Sequence, residues 1–205
     1  MKRKIVVATT NPGKIGELEA MLGGDIELLG LADFVGLGEV EEDGLSFEEN
    51  AVKKAAGYAK ATGFWTIADD SGLVIDSLGG APGIKSARFS GEKAEDRTLL
   101  DHKNMAKVLK LLEGVPKEER TARFVCCLCL ASPDEVLIQT KGTLEGFITE
   151  KEIGENGFGY DPIFFVPHLN KTAAQLTPEE KNAISHRGSA IRKLRPLLNE
   201  LLSKQ

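Results

Sequence analysis

An α/β fold, a mixed and twisted sheet flanked by helices, is what this sequence predicts, on three observations. Short β-branched runs such as Ile5-Val6-Val7 alternate with stretches of helical spacing, the pattern of a sheet covered by helices. Apolar runs on both sides of Pro133-Asp134 read as a hairpin, so the sheet is not purely parallel. The 205 residues are 41% apolar and 28% charged, with no repeat and no Pro/Ser-rich linker, which suits a packed core and excludes wholesale disorder. We expect a single domain over residues 1–205.

The elements follow in order. Lys4 to Ala8 is expected as a short buried strand. Asn11 caps a helix with Pro12 at its first position, and Ile15, Leu18, Met21 and Leu22 give it one apolar face. Glu39 to Gly44 reads as an acidic loop. Ser46-Phe47-Glu48-Glu49 is a capping box that opens a helix to about Thr62. Trp65 to Ala68 and Gly72 to Asp76 read as two strands, ahead of a turn at Gly79-Gly80-Ala81-Pro82-Gly83. Helical spacing resumes from Ala94 to Glu113. Thr121 to Ala131 and Glu135 to Thr140 form the hairpin, and Thr143 to Ile148 is a further strand. A glycine-rich loop, Gly154 to Asp161, leads to a strand at Ile163 to Val166. Thr177-Pro178-Glu179-Glu180 caps another helix, and Ser189 to Leu202 closes the chain as an amphipathic one.

Composition excludes several classes of function. A net charge of −5 lacks the broad basic face that duplex nucleic acid requires, although a local cation cluster still suits a small polyanion. The longest apolar run, residues 124–131, falls far short of the ~18 residues needed to span a bilayer. The stretch Ile5 to Ala8 is too short for a secretory signal. Cys126, Cys127 and Cys129 share one apolar run; they read as buried strand thiols in a reducing compartment, and we expect a cytoplasmic protein.

Five constellations carry chemistry. Thr9-Thr10-Asn11-Pro12-Gly13-Lys14 follows a strand and opens a helix, where free backbone N–H groups and the helix dipole favour a phosphate; a simple capped turn reads equally well. It is not a Walker A loop, because Ala8 and Ile15 stand where that motif has its first glycine and its final hydroxyl. Lys54 lies beside the stripe Phe47, Ala51, Ala55 and Tyr58, so it either snorkels to solvent or meets an anion. Ala68-Asp69-Asp70-Ser71-Gly72 is expected at a strand end running into a turn. Its adjacent carboxylates project two ways, and one suits Mg²⁺ with help from Glu41 or Glu42, unless the segment is only an Asx-type turn. Gly157-Phe158-Gly159-Tyr160-Asp161-Pro162 offers either a structural turn or a stacking face for a base. Lys181-Asn182 and Ser185-His186-Arg187-Gly188 offer donors for an oxygen-rich edge, or simply a solvated basic helix end.

Taken together, T-x-N-x-G-K, S-F-x-E-N-A-x-x-K-A, A-D-D-S-G-L, L-G-G-A-P-G-x-x-S-A-R, F-G-Y-D-P and K-N-x-x-S-H-R-G resemble the inosine triphosphate pyrophosphatases of the RdgB/HAM type, from Lys4 to Leu194 at least. The resemblance implies an elongated, two-lobed α/β fold with a substrate cleft and a homodimer. It implies Mg²⁺-dependent cleavage of dITP, ITP and XTP to the monophosphate and pyrophosphate. By motif, Thr9, Thr10, Asn11, Pro12, Gly13 and Lys14 hold phosphates, and Asp70 is proton acceptor and metal ligand with Asp69, Lys14 and Lys54 assisting. Ser71 touches substrate, and Phe158, Gly159, Tyr160, Asp161, Lys181, His186 and Arg187 shape the nucleoside end. Glu41 is the expected second metal ligand, with Glu42 as the alternative. The rival readings are a Maf-type pyrimidine nucleotide pyrophosphatase and a sensor that binds a triphosphate without cutting it.

Overall fold

The computed structural model describes residues 2–22, 26–93 and 95–204. In chain order the regular elements are β1 (Arg3–Val7), α1 (Pro12–Leu22), β2 (Ile26–Gly30), α2 (Phe47–Thr62), β3 (Trp65–Ile75), α3 (Arg97–Leu111), β4 (Thr121–Ala131), β5 (Val136–Ile148), β6 (Phe164–Val166), β7 (Lys171–Thr172), α4 (Pro178–Ile184) and α5 (His186–Ser203). The strands form a seven-stranded mixed sheet in the order β2-β1-β3-β4-β5-β6-β7. β1 pairs in parallel with β2 and β3, whereas β6 runs antiparallel to both β5 and β7. The expected α/β class with a mixed sheet is therefore what the chain adopts.

Several expected boundaries are corrected. The two strands placed on either side of Asp69–Ser71 are one strand, β3, so A-D-D-S-G lies inside the sheet and not in a turn. Turn-forming composition yields there to strand pairing, as burial along nearly the whole segment indicates. Thr143–Ile148 likewise continues from residue 136 as β5. Gly142 does not break that strand; it makes room for α5, since a Cβ there would lie 2.7 Å from the Ala190 amide nitrogen. β2 and β7 were not expected, being short and poor in β-branched residues. Ala94, the expected start of the third helix, lies outside the described residues; α3 begins at Arg97, where the Asp96 carboxylate accepts the Thr98 N–H at 3.2 Å. The last helix starts at His186, three residues before its expected position.

The chain divides into two compact units. Unit 1 comprises residues 1–70, 126–142 and 186–205, and its core packs Ile5, Val7, Leu18, Ile67, Leu128, Ile191 and Leu194 from β1, α1, β3, β4 and α5. Unit 2 comprises residues 71–125 and 143–185, with a core of Leu73, Met105, Val108, Phe124, Tyr160, Ile163 and Phe164. Cys126, Cys127 and Cys129 are buried in β4, as expected.

Candidate active site

In unit 1 the turn after β1 is built as the sequence suggests. Asn11 Oδ1 accepts the N–H groups of Gly13 at 2.9 Å and Lys14 at 3.4 Å, and Pro12 has no N–H to satisfy. The expectation of free backbone donors is thus corrected: Asn11 occupies the first-turn donors, so the positive character of the turn comes mainly from side chains. Thr9 Oγ1 accepts the Asn11 N–H at 3.2 Å and braces the same bend.

The adjacent aspartates of β3 do face two ways. Asp69 turns toward α1 and α5, which pack on each other. Lys14 Nζ is 2.8 Å from its Oδ1, and Arg187 Nε and Nη2 lie 3.2 and 3.1 Å from its Oδ2. Arg187 Nη1 completes a fork by pairing with Glu17 Oε2 of α1. Burial pushes the Asp69 carboxyl up, but Lys14, Arg187 and Lys54 more than offset it and hold the group well below the usual carboxylate range. It stays ionised and is a weak base.

Asp70 turns toward α2. Its Oδ2 accepts Asn50 Nδ2–H at 3.1 Å, and Asn50 Oδ1 accepts the Gly44 N–H at 2.8 Å. Here burial dominates and raises the carboxyl to about 6, with the Glu42 charge adding to the shift and Lys54, Asn50 and Lys14 opposing it. Two neighbouring carboxyls therefore differ widely in proton affinity, which separates an ionised anchor from a base poised near neutrality.

The acidic loop is fixed onto α2. The Ser46 cap forms, although Glu49 Oε2 reaches back to the Leu45 N–H (2.9 Å) rather than to the cap residue itself. Lys54, 8% exposed, does not snorkel; its Nζ lies 3.0 Å from Glu42 Oε2. Glu42, not Glu41, is thus the loop carboxylate directed at Lys54 and raising Asp70, while Glu41 is exposed. The loop also lies close to α2 at Gly57, where a Cβ would be 2.9 Å from Val40 Cγ2. A cavity of about 400 Å³ opens between this loop, Thr9, Thr10, Lys54 and Tyr58.

Gly57→Ala separates the helix from the loop. Alanine favours the helix by about 1 kcal/mol, yet its methyl displaces Val40 and with it Glu42. We expect an unchanged or higher melting temperature together with severalfold faster amide hydrogen exchange across the acidic loop; unchanged exchange would show that the close approach does not hold the loop that carries Glu42.

In unit 2 the F-G-Y-D segment is a tight turn with Gly157 at φ 82° and Gly159 at φ 65°. Asp161 Oδ2 accepts the Phe158 N–H at 2.9 Å and pairs with Lys181 Nζ at 2.6 Å. That ammonium sits 4.6 Å from the centre of the Phe158 ring. Tyr160 Oη donates to the Ser86 carbonyl at 2.8 Å. Ser71 follows Asp70 in β3 as the first residue of unit 2, and His186 opens α5 in unit 1.

The candidate residues drawn from the sequence left out Glu17, Asn50 and Asp101, although Asn50 stands inside the S-F-x-E-N-A motif. Glu17 stands three residues after Lys14 and Asn50 four before Lys54, so helical spacing put each on the face of a residue already singled out. Asp101 gave no signal toward the glycine-rich turn, because Gly159, whose N–H it accepts, stands 58 residues away.

A profile of the Ham1 family matches residues 5–197. The dITP/XTP pyrophosphatase of Bacillus subtilis is 48% identical over 199 residues, which are 96% of this chain and 97% of that one. The dITP/XTP pyrophosphatase of Geobacter sulfurreducens is 51% identical over 189 residues, 92% of each. Among solved structures, the Ham1 protein of Staphylococcus aureus has a TM-score of 0.84 at 44% identity, covering 97% of this chain and 99% of its own. A HAM1 protein from Coxiella burnetii has a TM-score of 0.86 at 40% identity, with the same coverage.

Proposed function

We propose, starting from the fact that this chain belongs to the Ham1 family, that it hydrolyses dITP, ITP and XTP to the monophosphate and pyrophosphate and so clears non-standard purines from the nucleotide pool. The observation that carries the reading is the split pair on β3. Asp70, near 6, is basic enough to take a proton from water at neutral pH, whereas Asp69 remains charged and holds Lys14 and Arg187 in place. Water deprotonated at Asp70 would attack the α-phosphorus. Lys14, Lys54 and the hydroxyls of Thr9 and Thr10 would receive the charge that grows on the leaving pyrophosphate.

The donors fit Mg²⁺. Among the described residues no cluster of three or more His, Cys, Asp or Glu side chains is assembled, yet Glu42 raises the proton affinity of Asp70, so the two carboxylates repel and are ready for a cation. Two hard oxygen donors plus substrate phosphates are the usual Mg²⁺ environment, and Asp70 with Glu42 in place of Glu41 would hold the ion. When bound, Mg²⁺ supplies Lewis-acid stabilisation of the phosphoryl oxygens. It also removes the objection that a triphosphate would meet bare carboxylates, an arrangement that a non-hydrolytic sensor has no use for.

At the nucleoside end, the Phe158 ring under the Lys181 ammonium offers a stacking face beside a donor for a purine 6-oxygen. Arg187 is committed to Asp69 and Glu17 in this structure, so we assign it to the phosphate side. A homodimer in the cytoplasm and one functional domain over residues 1–205 complete the reading. No helix among the described residues is long and apolar enough to cross a membrane.

A panel of ITP, XTP, dITP, GTP, ATP and pyrimidine triphosphates, assayed with Mg²⁺ for pyrophosphate and orthophosphate, tests it. Release of pyrophosphate from ITP and XTP, with ATP poorer by about 10⁴-fold because its 6-amino group leaves the site donors unpaired, is expected. Orthophosphate as the product, or a preference for pyrimidines, would refute it.

A further inference from the structure

The turn over residues 157–161 is also held by a side chain from another element. Asp101, on the second turn of α3, is 7% exposed. Its Oδ2 accepts the Gly159 N–H at 2.8 Å, while Arg97 Nε, one helical turn earlier, lies 3.1 Å from its Oδ1. Two left-handed glycines give this turn many alternative conformations unless its amide groups are tied down. Asp161 ties the Phe158 amide from within the turn, and Asp101 ties the next amide from outside it. Between these two anchors the Phe158 ring lies with the Lys181 ammonium 4.6 Å from its centre.

We propose that Asp101 is a positioning residue for base recognition: by fixing the Gly159 amide it presets the Phe158 ring and the Lys181 ammonium that receive the purine. The inference rests on the nucleotide reading given above. A carboxylate is suited to the task because a charge-assisted hydrogen bond is shorter and stiffer than a neutral one, and the Arg97 guanidinium holds its other oxygen in place. Asp101 belongs to unit 2, whereas the residues proposed to hold the phosphates belong to unit 1, so its loss should act on the base and leave the phosphates alone.

The test compares wild type, Asp101→Ala, Asp101→Asn and Asp101→Glu by ITP kinetics and by competitive inhibition with two probes, inosine monophosphate and inorganic tripolyphosphate. A displaced turn should raise the KM for ITP and the inosine monophosphate inhibition constant about tenfold in the alanine variant. We expect kcat to change much less and tripolyphosphate inhibition to stay within about twofold. The amide of Asp101→Asn can still accept the Gly159 N–H and should restore most of the loss. If the alanine variant does not fold, Asp101→Glu decides, since its extra methylene moves the carboxylate without removing it and should show the same split.

Parallel weakening of both probes, or no weakening of either, overturns the inference while leaving the proposed function standing. A wild type that neither hydrolyses ITP nor binds inosine monophosphate overturns both.

Discussion

Asp70→Asn is expected to lower kcat by about 10²–10⁴-fold, because the amide keeps the shape of the side chain but removes the base. The same substitution should stabilise the fold. The Asp70 carboxyl rises from 3.8 to about 6 on folding, chiefly through burial and with the Glu42 charge contributing. A raised carboxyl penalises the folded state once the group must give up its proton. Below about 3.8 both states are protonated and the group is neutral in its effect; as pH climbs through 6 the folded state must hold a buried charge that water would solvate better. By linkage that costs on the order of 3 kcal/mol at pH 7 and above. In a buffer containing a chelator, Asp70→Asn should therefore melt above wild type at pH 7.5, and the gap should close as pH falls toward 4. A variant that is inactive and also less stable at pH 7.5 would contradict the assignment of a strained, poised base.

Arg187→Ala should be the most damaging single change to stability in unit 1. The guanidinium is 2% exposed and answers two carboxylates at once, Asp69 on β3 and Glu17 on α1. Truncation leaves both anions buried without it, a defect worth about 3–5 kcal/mol. Urea unfolding monitored by circular dichroism measures it, and a loss below about 1 kcal/mol would mean that solvent reaches the pair. Arg187→Lys keeps one charge but cannot span the fork, so it should recover only part of the loss. Specificity tests at this position are accordingly confounded by folding, and Lys181 is the better site for them.

Local chemistry was legible in the sequence wherever it acts over a few residues. Asn11 and Pro12 announced the first helix, Ser46 and Thr177 the caps of two more, and the thiol cluster a buried strand. Legibility failed where distant chain decides the outcome. Asp69-Asp70-Ser71-Gly72 has turn composition, and only its pairing in the sheet makes it strand. Of Glu41 and Glu42 the sequence favoured Glu41, yet it is Glu42 that the folded loop brings to 3.0 Å from Lys54. Arg187 reads as a donor for an oxygen-rich edge or part of a solvated basic helix end, yet its partners stand 118 and 170 residues away. Six motifs in order were enough to indicate the family, because each preserves a local requirement. They could not show which side chains spend their charge on one another.

The thiols of β4 make the fold its own reporter of opening. Cys126, Cys127 and Cys129 are at most 2% exposed, and burial pushes the Cys129 thiol up to about 12. Burial raises the Cys127 thiol as well, so at neutral pH these two hold almost no thiolate, the species that alkylating reagents attack. Iodoacetamide should therefore consume these cysteines only during excursions that expose the middle of the sheet, so the alkylation rate measures how often that happens. A tight ligand for the folded state should slow the reaction in proportion to its occupancy. The wild-type chain, without an added dye or an engineered label, thus carries a chemical clock for its own breathing.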